Sequence, residues 1–201
     1  MPIINLAKGD KIQLPSVIEI NGKTHKLISY DSPKTKQFIG IYCIFNDLSK
    51  IRNSIKNHIQ NPSHEFEHFH ALTILYRKCW NDSGFRYFKL EIERDLKEAS
   101  KTLLDFHNFL IRVGNTYIAH PNKTDYDQCS LLLIMDDQKA IGVSPNRMTL
   151  ENLSPRDYQV WLDLITYLQK NLIPLLEKMK NSVIDEYNFS MQNKNQPSQK
   201  S

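Results

Sequence analysis

From residue 38 onward the apolar positions recur at three- and four-residue spacing, the mark of helices that bury one face. Phe38, Ile41, Tyr42, Phe45, Leu48, Ile55 and Ile59 form the first series, and Asn61-Pro62 ends it. Ser63 suits the N-cap of a second helix, with Glu65 in a first turn where the helix dipole favours an anion. Phe66, Phe69, Thr73, Tyr76 and Trp80 make its stripe, Leu72, Leu75 and Cys79 widen it, and Asn81-Asp-Ser-Gly84 ends it as a turn. A third helix is predicted from about Leu90 to Asn115. Its apolar face is Leu96, Ala99, Leu103, Leu110 and Ile111, and its solvated start is marked by Glu91, Glu93, Arg94, Asp95, Lys97 and Glu98. Ser154, Pro155 and Asp157 announce the last helix. Its stripe is Tyr158, Trp161, Leu162, Ile165, Leu168, Leu172, Leu176 and Met179, with a kink expected at Pro174.

Two stretches read as hairpins instead. Val17-Ile-Glu-Ile20 and Thr24-His-Lys-Leu-Ile28 flank Asn21-Gly22, a pair suited to a type I′ turn. Ser130-Leu-Leu-Leu-Ile-Met135 and Lys139-Ala-Ile-Gly-Val143 flank Asp136-Asp-Gln, after a polar loop over 121–127. From Asn188 onward the chain is Asn, Gln, Ser and Lys, too polar to bury a core, and a disordered tail over 188–201 is expected. The expectation is a mainly α fold: a four-helix-type bundle in one domain over 1–187. Residues 1–35 would be a β-hairpin extension, with a second small hairpin between helices three and four.

Composition narrows this only a little. Forty per cent hydrophobic residues among 201 are enough for a core, and six glycines argue against a turn-rich all-β protein. A net charge of +4 permits nucleic-acid binding without arguing for it. Part of the excess is Lys8, Lys11, Lys23, Lys26, Lys34 and Lys36, readable as a solvated basic arm. The start, Met1-Pro-Ile-Ile-Asn5, lacks the basic region and apolar run of a signal peptide, and the longest apolar run, Phe38 to Phe45, is too short to span a bilayer. Cys43, Cys79 and Cys129 are odd in number and set among apolar residues, so buried reduced thiols and a cytoplasmic setting are expected, with no membrane association.

Two stretches carry candidate chemistry. His64-Glu-Phe-Glu-His68 fits the H-E-x-x-H pattern of zinc hydrolases, which sets two imidazoles on one helix face beside a glutamate base. Against that, His64 would sit at the frayed first turn, and Glu91, Glu93 and Glu98 are only available as a third ligand. The plainer reading leaves His64 exposed and His68 beside Leu72 and Leu75 at the core edge.

The second stretch is Arg112-Val-Gly-Asn-Thr-Tyr-Ile-Ala-His120, which closes the third helix before Pro121. On a continuous helix Arg112 and His120 fall about 80° apart, so both can face one groove. Histidine exchanges protons near neutral pH and a guanidinium holds phosphate, which together suit phosphodiester chemistry. The plain alternative is a surface Arg112, a capping Asn115 and a His120 favoured by the helix dipole.

Three segments together, Ala71-Leu-Thr-Ile-Leu-Tyr-Arg-Lys-Cys-Trp80, Leu103-Leu-Asp-Phe-His-Asn-Phe-Leu-Ile111 and Asn115-Thr-Tyr-Ile-Ala-His120, resemble the HEPN superfamily. The resemblance spans roughly residues 64–121. It implies a helical bundle that works as a homodimer, a metal-independent endoribonuclease of the toxin or phage-defence kind, no cofactor, and RNA and an antitoxin as partners. It assigns acid–base work to His120, phosphate binding to Arg112 and an orienting role to Asn115. The family's arginine directly precedes the asparagine, and Gly114 stands there in this chain. Either Arg112 reaches in from two residues earlier, or the fold persists as a catalytically degenerate dimeric binding or regulatory module. Zinc hydrolysis through His64 and His68 is the third reading.

Overall fold

The computed structural model describes residues 17–61, 65–82, 87–115, 127–136, 139–149 and 155–194. It is mainly helical, as the periodicity requires, and it divides into two units, 1–32 and 33–201. The first unit holds the antiparallel strands β1 (Val17–Ile20) and β2 (Lys23–Lys26), with Ile20 opposite Lys23. Asn21 and Gly22 both take positive φ, 50° and 74°, which is what a two-residue type I′ turn demands and what these two residue types tolerate.

The second unit holds α1 (Pro33–Gln60), α2 (Glu65–Lys78), α3 (Ile92–Asp95), α4 (Lys101–Val113) and α5 (Pro155–Lys194). Between α4 and α5, β3 (Asp127–Asp136) pairs antiparallel with β4 (Lys139–Thr149). This second hairpin is longer than the apolar pattern suggested. It closes with Asp136 opposite Lys139, and its register shifts between Ile134 and Met135. Among the described residues no helix is long and apolar enough to cross a membrane.

The four long helices pack in a ring: α1 against α5, α2 against α1 and α4, and α4 back onto α5. α1 starts at Pro33, five residues before the first apolar position, because proline's fixed φ suits a first helical turn. Its buried face runs Ile41, Ile44, Leu48, Ile51 and Ile55, each fully buried. Tyr42 and Ile59, read as part of that face, are 50% and 46% exposed. α2 contributes Phe69, Leu72, Tyr76 and Cys79, and α5 contributes Tyr158, Trp161, Leu164, Ile165, Leu168 and Leu172. Each fully buried aliphatic side chain of this kind is worth about 1.5–3 kcal/mol. Trp161 sits at the centre, edge-on to Phe69, Tyr76 and Phe106 at centroid distances of 6.0, 6.5 and 6.1 Å.

Two expectations are corrected. The third helix is not continuous from Leu90 to Asn115: α3 is one turn, Leu96 leaves helical geometry (φ −120°, ψ 9°), and α4 begins afresh at Lys101. Asp95 causes the break. Its buried carboxylate accepts the Glu91 N–H at 2.7 Å and grips Arg94 at 2.7 and 3.0 Å, while Arg94 donates to the Lys89 carbonyl at 2.6 Å. Ser100 then caps α4, accepting from the Leu103 N–H at 3.4 Å. The second correction is at the far end, where α5 runs through to Lys194 past the predicted tail start at Asn188. Polar residues remain helical there because propagating an existing helix costs far less than starting one, and Ser190 bonds back to the Tyr187 carbonyl at 2.7 Å. Of the cysteines, Cys79 is a buried thiol that donates to the Leu75 carbonyl at 3.5 Å, whereas the Cys43 thiol is only half-buried.

Candidate functional site at the end of α4

α4 is amphipathic: Phe106, His107, Leu110 and Val113 are buried on one face. Its last turn carries Arg112 and Asn115, both exposed, on either side of buried Val113 and Gly114. Gly114 keeps right-handed geometry (φ −61°, ψ −35°), its N–H reaching the Ile111 and Leu110 carbonyls, and the chain continues through Asn115 as a π turn. Such widened turns recur at functional helix ends. Two of the three predicted site residues, Arg112 and Asn115, are therefore on the surface of one helix end. His120 lies outside the described residues, as does Thr116.

The structure adds a residue that sequence reasoning missed. Gly114 lies against α2, where a Cβ would stand 3.2 Å from Arg77 Cδ and 3.4 Å from Thr73 Cγ2. The half-buried Arg77 side chain crosses this notch, and Nη1 donates to the Gly114 carbonyl at 3.5 Å. Its Nε is buried with no hydrogen-bond partner among the described residues. Thr73 stays clear by bonding the Phe69 carbonyl at 2.8 Å. A guanidinium at the C-terminal end of a helix faces the negative pole of its dipole, which suits a cation. So a cation from α2 occupies the neighbourhood of the very position where α4 lacks one. The sequence held one signal: Arg77 falls on the flank of α2 between Thr73 and Trp80, with no acidic residue three or four positions away.

The alternative histidine site is arranged differently. His64 lies outside the described residues. His68 projects between α1 and α5, its Nε2 2.8 Å from Ser54 Oγ and its ring stacked on His58 at 4.4 Å. Burial, and then the neighbouring His58, hold its pKa below the usual 6.5, so the ring is neutral near pH 7. The ring nitrogen nearest a partner is thus engaged by Ser54, and His68 behaves as the core-edge residue of the plainer reading. Among the described residues no group of three or more His, Cys, Asp or Glu side chains is gathered so as to hold a metal ion.

No known family model matches the chain, and no curated protein or solved structure matches it either.

Proposed function

We propose that this chain is a HEPN-type helical protein that cleaves RNA without a metal, as a homodimer, in a toxin or phage-defence setting with an antitoxin as counterpart. The observation that supports the reading most is the notch at Gly114, where Arg77 of α2 lies beside the helix end that bears Arg112 and Asn115. In this scheme His120 takes the proton from the ribose 2′-hydroxyl and returns one to the leaving 5′-oxygen. Arg77 and Arg112 neutralise the charge that gathers on the phosphoryl oxygens, and Asn115 orients the substrate. Glycine is what lets the Arg77 side chain come so near.

The test is cleavage of single-stranded RNA by the purified protein in excess chelator. Cleavage should persist there, vanish in His120→Ala, and fall in both Arg77→Ala and Arg112→Ala. Solution mass should be that of a dimer, and a strict monomer removes the homodimeric scheme.

One observation favours a second reading, the same fold as a binding or regulatory module without catalysis. The hydrogen bond Arg77 makes is to the Gly114 carbonyl, a role that simply closes the end of α4. Intact RNA under all conditions together with a stable dimer would select that reading.

A further inference from the structure

On α4, one turn before Ile111, His107 is buried among aromatic rings. It is only 1% exposed, its ring centroid is 4.1 Å from that of Trp80, and its Nδ1 is 2.8 Å from the Tyr76 hydroxyl. Tyr76 is fully buried, and burial raises the pKa of its phenol well above 10, so the hydroxyl keeps its proton. Burial also lowers His107 to about 4, so at neutral pH the imidazole is uncharged and carries one ring proton. Taking the Tyr76 hydroxyl as the donor assigns His107 Nδ1 as the acceptor of their hydrogen bond. The ring proton then belongs on Nε2.

His107 also lines a cleft of about 430 Å³. With Nδ1 engaged by Tyr76, Nε2–H is the polar group that the ring has left to offer there. Trp80, Leu90, Ile92 and Ile111 supply the apolar and aromatic walls, and Lys89, Glu91 and Glu93 stand at the margin. Lys89 is paired with Asp82 at 2.8 Å and Glu91 with Arg94 at 3.5 Å, so Glu93 leaves the margin with a net negative charge. The volume lies within the range of ligand clefts, roughly 300–1,000 Å³, and one fixed donor in an apolar wall is their usual composition.

We propose that the cleft between α2, α3 and α4 binds an uncharged, flat heterocycle bearing a carbonyl or ring-nitrogen acceptor, of which a nucleoside is the model ligand. The acceptor takes the proton of His107 Nε2, and the heterocycle lies against Trp80, Leu90 and Ile111. Tyr76 positions the imidazole and fixes its tautomer. A phosphate on the ligand would meet Glu91 and Glu93, so nucleosides should bind better than their monophosphates. Ile111 neighbours Arg112 at the end of α4, but the cleft is distinct from the Gly114 notch and does not depend on the RNA-cleaving reading.

The chain has two tryptophans, Trp80 by the cleft and Trp161 fully buried in the core, so two indole N–H signals report separately in a nitrogen-15 correlation spectrum. Adenosine and uridine are titrated into the full-length protein, with the 5′-monophosphates in parallel. The Trp80 indole and His107 ring signals should move saturably at millimolar nucleoside or below while Trp161 stays still, and the monophosphates should bind at least threefold more weakly. Ile111→Arg, which places a charge in the cleft wall and leaves the Tyr76–His107 pair alone, should abolish the shifts. His107→Phe should do so as well, and if that variant does not fold, Ile111→Arg carries the test. Absence of saturable shifts with either nucleoside, equal or tighter binding of the monophosphates, or shifts that survive Ile111→Arg would overturn the proposal.

Discussion

His58 on α1 and His68 on α2 stack ring on ring, their centroids 4.4 Å apart and their planes 15° from parallel, with the Tyr158 ring of α5 tilted against both. Protonating His68 places a charge in this half-buried stack, next to a second imidazole. The consequence runs through the junction of three helices.

Acid should therefore destabilise the bundle. His68 and His107 both have folded-state pKa values below the ordinary 6.5, His107 at about 4. For a lowered histidine the unfolded chain binds the proton first, so the stability is present above pH 6.5 and is lost as pH falls below it. For His107 the loss approaches about 1.4 kcal/mol per pH unit and continues until about pH 4. Urea midpoints measured from pH 7.5 to 4.5 should decline, and His68→Gln should flatten the upper part of that decline.

Asp95 should be among the costliest polar side chains to remove. Its carboxylate is 5% exposed in its residue environment and accepts from the Glu91 N–H and from Arg94. Asp95→Ala leaves the Glu91 N–H without its acceptor and takes one of several acceptors from Arg94, which costs on the order of 2 kcal/mol. Thermal unfolding would show it, and Asp95→Asn should recover part by keeping the acceptor for Glu91.

Gly40 on α1 meets the chain at Phe88 so closely that a Cβ would lie 2.9 Å from Phe88 Cβ and 3.0 Å from its backbone nitrogen. Phe88 has little room to retreat, since Arg94 lies over its ring at 4.4 Å and the Leu90 N–H is tied to the Cys79 carbonyl at 2.9 Å. Overpacking costs about 1–3 kcal/mol, and alanine's better helix propensity returns up to about 1. Gly40→Ala should destabilise by roughly 1–2 kcal/mol in chemical denaturation.

Gly114→Ala is the opposite case. The new Cβ would press on Arg77 Cδ at 3.2 Å, the outer part of a flexible side chain, and the backbone is already right-handed helical. Stability should change by less than about 1 kcal/mol. RNA cleavage in the proposed scheme should fall about tenfold, because the guanidinium is pushed off its place. A variant that cleaves RNA like the parent while folding normally would separate Arg77 from the reaction.

The helices and both hairpins were legible because apolar spacing and turn chemistry are local signals, and Asn21-Gly22 behaves as its residue types dictate. On α1 the expected Phe38, Ile41, Phe45, Leu48 and Ile55 face the core. Ile44 and Ile51, however, are buried where Tyr42 and Ile59 were expected, because both rows fit the spacing and only the packing partners decide between them. The break after α3 was hidden because Asp95 looked like one more solvated charge in an acidic run, whereas its carboxylate is buried. His107 was passed over for the same reason: a polar residue in an apolar stripe shows its value only when its partner, 31 positions away in Tyr76, is known. At the end of α4 the exposed Arg112 and Asn115 were found, but Arg77 was not, since its relation to Gly114 is a contact between two helices.

Where α1 and α5 meet, Gln169, 6% exposed, donates to Ser49 Oγ at 2.8 Å and accepts from Arg52 at 3.4 Å, while Ser49 donates to the Phe45 carbonyl at 2.9 Å. Apart from His58 against Tyr158 and Lys34 beside Glu186, the two longest helices meet through isoleucine and leucine, which discriminate poorly between alignments one turn apart. A slide of one turn would carry Gln169 about 5.4 Å along the axis and strand its amide among hydrocarbon. The trio therefore acts as a length gauge, choosing one alignment of the bundle from several of similar greasiness. Replacing Gln169 with leucine would then preserve the melting temperature better than it preserves a single set of sharp core resonances.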